Sequence, residues 1–429
     1  MDSLVIRARY LYDGAVAAAQ DFPEIVIQGA RIAAVRLRAP EPGADQESGQ
    51  DSEAIVATDG DRPGSAHVID LGDCTILPGL IDAHVHLVGG RKGAGEFVDA
   101  ALRAMRAAAD ALAALRSGWT TVRDCGSGVA IGLRDAIAEG TLPGPRIVAC
   151  GPMLSQTGGH GDWHDVPLEL MPRLAADVLL ADGPDECRRA VRRAVRAGAD
   201  WIKICATGGN TSLRGGHHQR QFADDELHAL VDEAHRSGRR VAAHATGRDG
   251  VLAATLAGVD SIEHGYFLDD ACVEAMLQRG TFLVPTFSLH RYFADPPDAG
   301  ALPASRLAKQ REARDAMLER FPRAYRAGVR IATGTDCGGG PGMELGTSAR
   351  EVEAQVAAGV TPWDALRHST SGAADLLGVG HLIGRVFPGY AADLVAVSGR
   401  PWEDPAALRS VALVIRDGRL VEGVGAPAT

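Results

Sequence analysis

The sequence predicts an α/β protein: a (β/α)8 TIM barrel with a small β-sandwich domain formed by the N- and C-terminal segments. Three observations carry that expectation. From 76 to 380, nearly continuous apolar runs alternate with Ala-, Leu- and Arg-rich stretches, as buried parallel strands alternate with covering helices. Eight such units over about 300 residues is the size of a barrel. Both ends of the chain are instead rich in short β runs, and no G-x-G-x-x-G follows the first strand to favour a doubly wound sheet.

Residues 1–75 supply the N-terminal part of the expected sandwich, with strands in SLVIRARYLYDG and EIVIQGARIAAVRL punctuated by turn dipeptides such as Asp-Gly. Within them, 41–64 hold seven acids and one Arg, more than half of the net charge of −11. This Gly/Pro/Ser-bearing stretch cannot build a core and reads as a flexible surface insertion. An acidic ligand-binding segment is the alternative. The barrel strands fall in TILPGLIDAHVHL, TTVRDCG, RIVACGPML, WIKICATGG, RVAAHATG, SIEHGYF, TFLVPTFSL and RIATGTDCG. Helices are expected over 97–117, 185–197, 223–238, 269–279 and 306–327. Residues 381–429 return to β runs, ADLVAVSG and SVALVIRDGRLVEG, which complete the sandwich.

A chain of 429 residues with 46% hydrophobic content can bury a large core without disulfides. Lys plus Arg number 44 against 55 for Asp plus Glu, the reverse of a nucleic-acid scaffold. No apolar run approaches the roughly 20 residues that span a bilayer. The opening MDSLVIRARYLYDG lacks the basic-then-apolar layout of a signal peptide. Seven scattered cysteines without a C-x-x-C pair fit a reducing cytoplasm. The expected partner is a small-molecule substrate, with neither nucleic acid nor membrane.

The chemistry gathers where barrel strands end, the face on which such folds build active sites. Strand one ends in His84-Val85-His86, and period-two alternation points both imidazoles to one side. Strand five delivers His244, strand six His264, and strand eight Asp336. Each alone is usually a satisfied polar residue; together they are a donor set suited to zinc or a similar divalent ion. Lys203 is one of three lysines against 41 arginines, and it stands inside the apolar strand WIKIC. Burial disfavours its ammonium form and lowers its pKa. A neutral amine beside metals can take up carbon dioxide as a bridging carbamate; an ion pair with an acid such as Asp336 is the equal alternative.

The segments LPGLIDAHVHL, GADWIKICATGG, VAAHATG, SIEHGYF and ATGTDCG resemble the amidohydrolase superfamily, in particular its prolidase-like and imidazolonepropionase-like hydrolases. LSQTGGHGD, TPWDALRHSTSGAADLLG and IGRVFPGYAADLVAV extend the likeness over nearly the whole chain. The resemblance implies two divalent ions, with zinc as the default. His84, His86 and Asp336 would hold the more buried ion, and His244 and His264 the more exposed one. Carboxylated Lys203 would bridge them, and the chain would assemble as a homo-oligomer.

Asp336 is then expected to take a proton from the attacking water and pass it to the leaving amine, with His160 of GGHGD as oxyanion donor. Substrate-binding candidates on the loops are His160, Trp163, His164, Arg214, His217, His218, Tyr266 and His290, beside Arg291. Aromatic and cationic groups around a metal mouth suit a substrate with a carboxylate and a bulky acyl or aryl part. The expected reaction is hydrolysis of an amide or peptide C–N bond, as in an Xaa-Pro-like dipeptide or an N-acyl amino acid. A urea, carbamate or cyclic-amide hydrolase is the alternative. A deaminase is disfavoured by Lys203, and a non-catalytic binding protein by the complete donor set. His228, His235 and His368 read as surface or packing residues of helices.

Overall fold

The computed structural model describes residues 3–39, 67–88, 99–171, 176–210, 212, 215–294, 304–339 and 342–424; the acidic 41–64 stretch and Arg214 lie outside them. The chain divides into two compact units. One comprises Met1–Ile81, Ala113–Thr121 and Thr361–Thr429, the other Asp82–Leu112 and Val122–Val360.

In the first unit, β1 (Ser3–Arg7), β2 (Tyr10–Leu11), β3 (Gln20–Asp21), β4 (Pro23–Gln28), β5 (Arg31–Leu37), β6 (His67–Asp70) and β7 (Cys74–Pro78) follow one another. Residues 23, 25 and 27 of β4 are buried and their alternates are not, so one face of a sheet ordered β5-β4-β1-β6 is apolar.

β8 (Leu80–Val85) and β9 (Trp119–Asp124) begin in the first unit and end in the second, which continues with β10 (Arg146–Ala149), β11 (Met153–Ser155), β12 (Val178–Leu180), β13 (Trp201–Cys205), β14 (Arg240–Ala245), β15 (Ser261–His264) and β16 (Phe282–Val284). The first three form one sheet, and the others a sheet ordered β12-β11-β13-β14-β15-β16 whose pairs are all parallel. Strands β8, β9 and β13 are buried from end to end, as expected of apolar runs covered on both faces. Helices Ala100–Arg116, Pro184–Ala197, Asp224–Arg236, Asp270–Arg279 and Ala304–Arg326 fall where the Ala/Leu/Arg-rich stretches predict them. No helix among the described residues is long and apolar enough to cross a membrane.

Three segments depart from expectation. RIVACGPML is two strands rather than one, because the chain turns at Gly151 (φ +65°) and Pro152, and the unforeseen β12 pairs with the second half. TFLVPTFSL keeps only Phe282–Val284 as strand: Pro285 has no N–H to give a ladder, and a helix Phe287–Phe293 follows. The eighth run, RIATGTDCG, makes isolated parallel bridges instead of a regular strand. On one side Ala332 N donates to the Leu283 carbonyl of β16; on the other, Ala83 N donates to Thr333 and Asp336 N to His84 of β8.

The chain then returns to the first unit with β17 (Leu394–Ser398), β18 (Val411–Arg416) and β19 (Arg419–Leu420), in a sheet ordered β19-β18-β17-β7-β2-β3. Ile6, Ile25 and Ile27 of the four-stranded sheet share one buried cluster with Leu11, Ile76, Leu394 and Ile415 of the six-stranded sheet. The two ends of the chain therefore stabilise each other through one apolar core.

Candidate metal-binding active site

The strand ends of the second unit bring the predicted donors together. His84 Nε2 and His86 Nε2 stand 3.5 and 3.1 Å from Asp336 Oδ1. Lys203 Nζ from the middle of β13 lies 3.2 Å from His84 Nε2. The rings of His244 and His264 are 4.6 Å apart, and those of His84 and His264 5.3 Å. All six line one cavity of about 80 Å³ with His160, Met153, Cys205, Asn210, Tyr266, Leu289, Phe293 and Gln310.

Local backbone makes this convergence possible. His264, Thr286 and Asp336 have φ of +77°, +58° and +62°, a left-handed conformation that costs non-glycine residues about 1–3 kcal/mol each and clusters at functional sites. At Asp336 this bend lies between two bonds to the β8 segment, Asp336 N to His84 and His86 N to Cys337, and lets the carboxylate meet both imidazoles. Two glycines admit the close approach. A Cβ on Gly334 would stand 2.7 Å from that of His84, and one on Gly209 would stand 2.8 Å from the His244 ring.

The electrostatics suit cation binding. Burial, with the Lys203 charge, holds His84 well below the usual imidazole pKa. Burial, with His160 beside it, does the same for His244. Burial, with Lys203, takes His264 to about 3. Neutral imidazoles offer lone pairs, which is what a metal needs. Burial works against the Asp336 carboxylate, but His84 and His86 more than offset it and hold its pKa well below the usual range. The same partnership raises His86 to about 9 against its burial. Lys203 corrects the expectation from sequence. Burial does oppose its charge, yet Cys125, Glu263 and Asp336 outweigh it and raise its pKa, so without a bound cation the amine is an ammonium. His84, His86 and Asp336 bring donor atoms within 4.8 Å of one another, and with the His86 proton displaced this trio, beside neutral His244 and His264, fits the divalent metals that the family implies.

Of the loop candidates, His160 and Tyr266 line the cavity. The His160 ring stacks on His244 at 4.0 Å, its Nδ1 is 2.8 Å from Ser212 Oγ, and burial with Lys203 nearby lowers its pKa to about 4. His217 and His290 are buried and pack on Tyr266, with centroids 6.2 and 4.4 Å from it. Trp163 instead packs with Met171 and Val178, half-buried His164 follows it in the same loop, and His218 is an exposed ring on Phe267.

Sequence reasoning missed Ser212, Asn210, Gln310, Arg123 and Glu263. Asn210 Nδ2 donates to Gln310 Oε1 at 2.7 Å in the cavity wall, a pairing across 100 residues with no local signal. Ser212 had one: it lies three residues past Gly209, the glycine that packs on His244 and His160.

Residues 75–421 match the amidohydrolase family. The chain is 34% identical to ochratoxinase of Aspergillus niger over 374 residues, covering 82% of this chain and 76% of that protein. It is 27% identical to imidazolonepropionase of Cutibacterium acnes over 397 residues, covering 85% and 88%. A solved Xaa-Pro dipeptidase with methionine in its active site aligns with a TM-score of 0.84 at 35% identity, covering 98% of this chain and 100% of that one. These likenesses assign the second unit a TIM-barrel-like fold. With the family's sequence pattern over four-fifths of its length and a relative 34% identical over 82% of it, the chain belongs to the amidohydrolase family.

Proposed function

We propose that the protein hydrolyses the amide or peptide C–N bond of a small carboxylate-bearing substrate, such as an Xaa-Pro-like dipeptide or an N-acyl amino acid. The observation that carries this reading is the convergence of His84, His86, Lys203, His244, His264 and Asp336 on one cavity. The likeness to ochratoxinase and to an Xaa-Pro dipeptidase supports the bond type and the substrate class.

His84, His86 and Asp336 would hold one ion, His244 and His264 a second, and a carbamate on Lys203 both, with zinc the expected metal. Such ions lower the pKa of water and polarise a carbonyl. The protein's own part is proton handling and orientation. Asp336, kept ionised by His84 and His86, accepts the proton of the attacking water and delivers it to the leaving amine. His160, steadied through Nδ1 by Ser212, donates from Nε2 to the carbonyl oxygen as charge develops there. Tyr266, with His217 and His290 against it, forms the side of the pocket for the substrate's carboxylate-bearing end.

The same reading closes the parallel strands into an eight-stranded barrel, supported by the backbone bonds of Ala332 to β16 and of Asp336 to β8. It also makes the two sheets of the first unit a β-sandwich, supported by their shared core. It places a homo-oligomeric enzyme in the cytoplasm, where seven free cysteines are stable.

The test is turnover of dipeptides, N-acyl amino acids, aryl ureas, carbamates and amino-heterocycles by the zinc- and bicarbonate-loaded protein, with products identified by mass spectrometry. An amine plus a carboxylate is expected. Ammonia alone would mean deamination, and carbon dioxide with two amines would mean urea hydrolysis; either overturns the amide reading. Lys203→Ala is expected to lose most bound metal and activity, and normal activity in that variant rules out the bridging carbamate.

A further inference from the structure

Beneath the donor cluster lies a layer of buried charge that the proposed chemistry leaves unused. Arg123 and Glu263 are both 0% exposed, with Arg123 Nη2 2.7 Å from Glu263 Oε1. Removing two charges from water is costly, and a buried pair of this kind is weak evidence for added stability. Its other bonds point to a different use. Arg123 Nε donates to the Ala83 carbonyl at 2.6 Å, fixing the backbone one residue before His84. Arg123 Nη1 donates to Ser261 Oγ at 3.1 Å, and the Ser261 hydroxyl donates to Glu263 Oε1 at 2.5 Å. That leaves Glu263 Oε2 facing a single partner, His84 Nδ1, at 2.8 Å.

A carboxylate beside a guanidinium has no proton to give, so His84 Nδ1 is the donor in this bond. The lone pair of His84 is therefore on Nε2, the atom that faces Lys203 and Asp336. His84, Cys125 and Glu263 also bring donor atoms within 4.8 Å of one another. Protons already fill that trio, because Arg123, Ser261 and His84 occupy both Glu263 oxygens.

We propose that Arg123 and Glu263 are a positioning unit that locks His84 in the Nδ1–H tautomer and aims Nε2 into the cavity. The proposal rests on the metal-binding reading above. Outer partners of this kind typically change metal affinity 10–100-fold when removed.

The experiment measures zinc affinity of the metal-stripped protein by competition with a chromophoric chelator, unfolding stability, and the His84 tautomer by 15N NMR of histidine-labelled protein. Glu263→Gln offers one acceptor and one donor in place of two acceptors. An amide that satisfies Arg123 turns its NH2 toward His84. Zinc affinity is expected to fall roughly 10–100-fold, with the His84 proton shifted to Nε2. In the pair Arg123→Met with Glu263→Leu, both buried charges are gone, so the fold is retained while the loss of zinc affinity persists. A purely structural pair predicts the opposite: the double variant regains both stability and zinc affinity. Zinc affinity within twofold of wild type in either folded variant overturns the proposal. Should the double variant not fold, Glu263→Gln decides alone. A wild-type chain that takes up no zinc counts against the proposed function instead. The tautomer then decides the positioning role: Nδ1–H in wild type supports it and Nε2–H overturns it.

Discussion

At Asp336, three circumstances meet in one side chain: a left-handed backbone, two imidazoles within 3.5 Å of one oxygen, and a pKa held far down by them. Asp336→Asn keeps the shape and removes the proton acceptor, so kcat is expected to fall by at least 10²-fold in single-turnover assays, with the fold intact by circular dichroism. Ser212→Ala removes the hydroxyl that holds His160 Nδ1, and a drop of about 10-fold in kcat with little change in KM is expected. An unchanged kcat would separate Ser212 from the reaction. The donors His84, His86, His244, His264 and Asp336 were legible in the sequence because each ends an apolar run, where a polar residue is conspicuous. Glu263 and Arg123 were not, although Glu263 directly precedes His264. Their meaning comes from partners 179, 140 and 138 residues away, and one-dimensional spacing carries no trace of such pairings.

At the scale of an element, the helix Phe287–Phe293 shows how a wall of the cavity is held. Its first two N–H groups, of Phe287 and Ser288, donate to Glu351 Oε1 and Oε2 at 3.0 and 2.7 Å. A carboxylate at a helix N-terminus satisfies donors that otherwise have no partner and complements the helix dipole. Glu351→Ala strands the buried Phe287 N–H at about 1–3 kcal/mol, frees the half-buried Ser288 N–H, and loosens the helix that carries Leu289 and Phe293. A lower Tm with KM raised more than kcat is lowered is the expected result; equal KM would show that the wall does not depend on this anchor. This helix was invisible in the sequence. TFLVPTFSL is largely apolar, and apolar runs of this length do not distinguish a strand from a buried helix turn. The five expected helices were legible because their Ala-, Leu- and Arg-rich stretches stand between apolar runs.

For the whole molecule, acid is the condition to test. His368, in the helix Pro362–His368, is 3% exposed, and burial with Arg367 nearby lowers its pKa to about 3. The unfolded chain binds its proton near pH 6.5 and the folded one does not, so this stability is intact above about 6.5 and is lost as pH falls toward 3. Between pH 7 and 5, wild type is expected to lose about 2 kcal/mol more than His368→Gln in chemical denaturation, and parallel losses would contradict the buried neutral state. The alternation of apolar strands with helices between two β-rich ends was legible from rhythm alone. What rhythm could not supply is where strands stop, because Pro285 and the turn at Gly151 act on backbone geometry rather than on hydrophobicity.

The bend at Asp336, with those at His264 and Thr286, sets the site at odds with durability. Glycine would relax each of the three positions by about 1 kcal/mol, and at two of them it would delete a side chain gathered at the cavity. Selection for heat survival alone would therefore favour mutants that last longer and catalyse nothing. A directed-evolution campaign on this protein has to screen turnover and thermal endurance together.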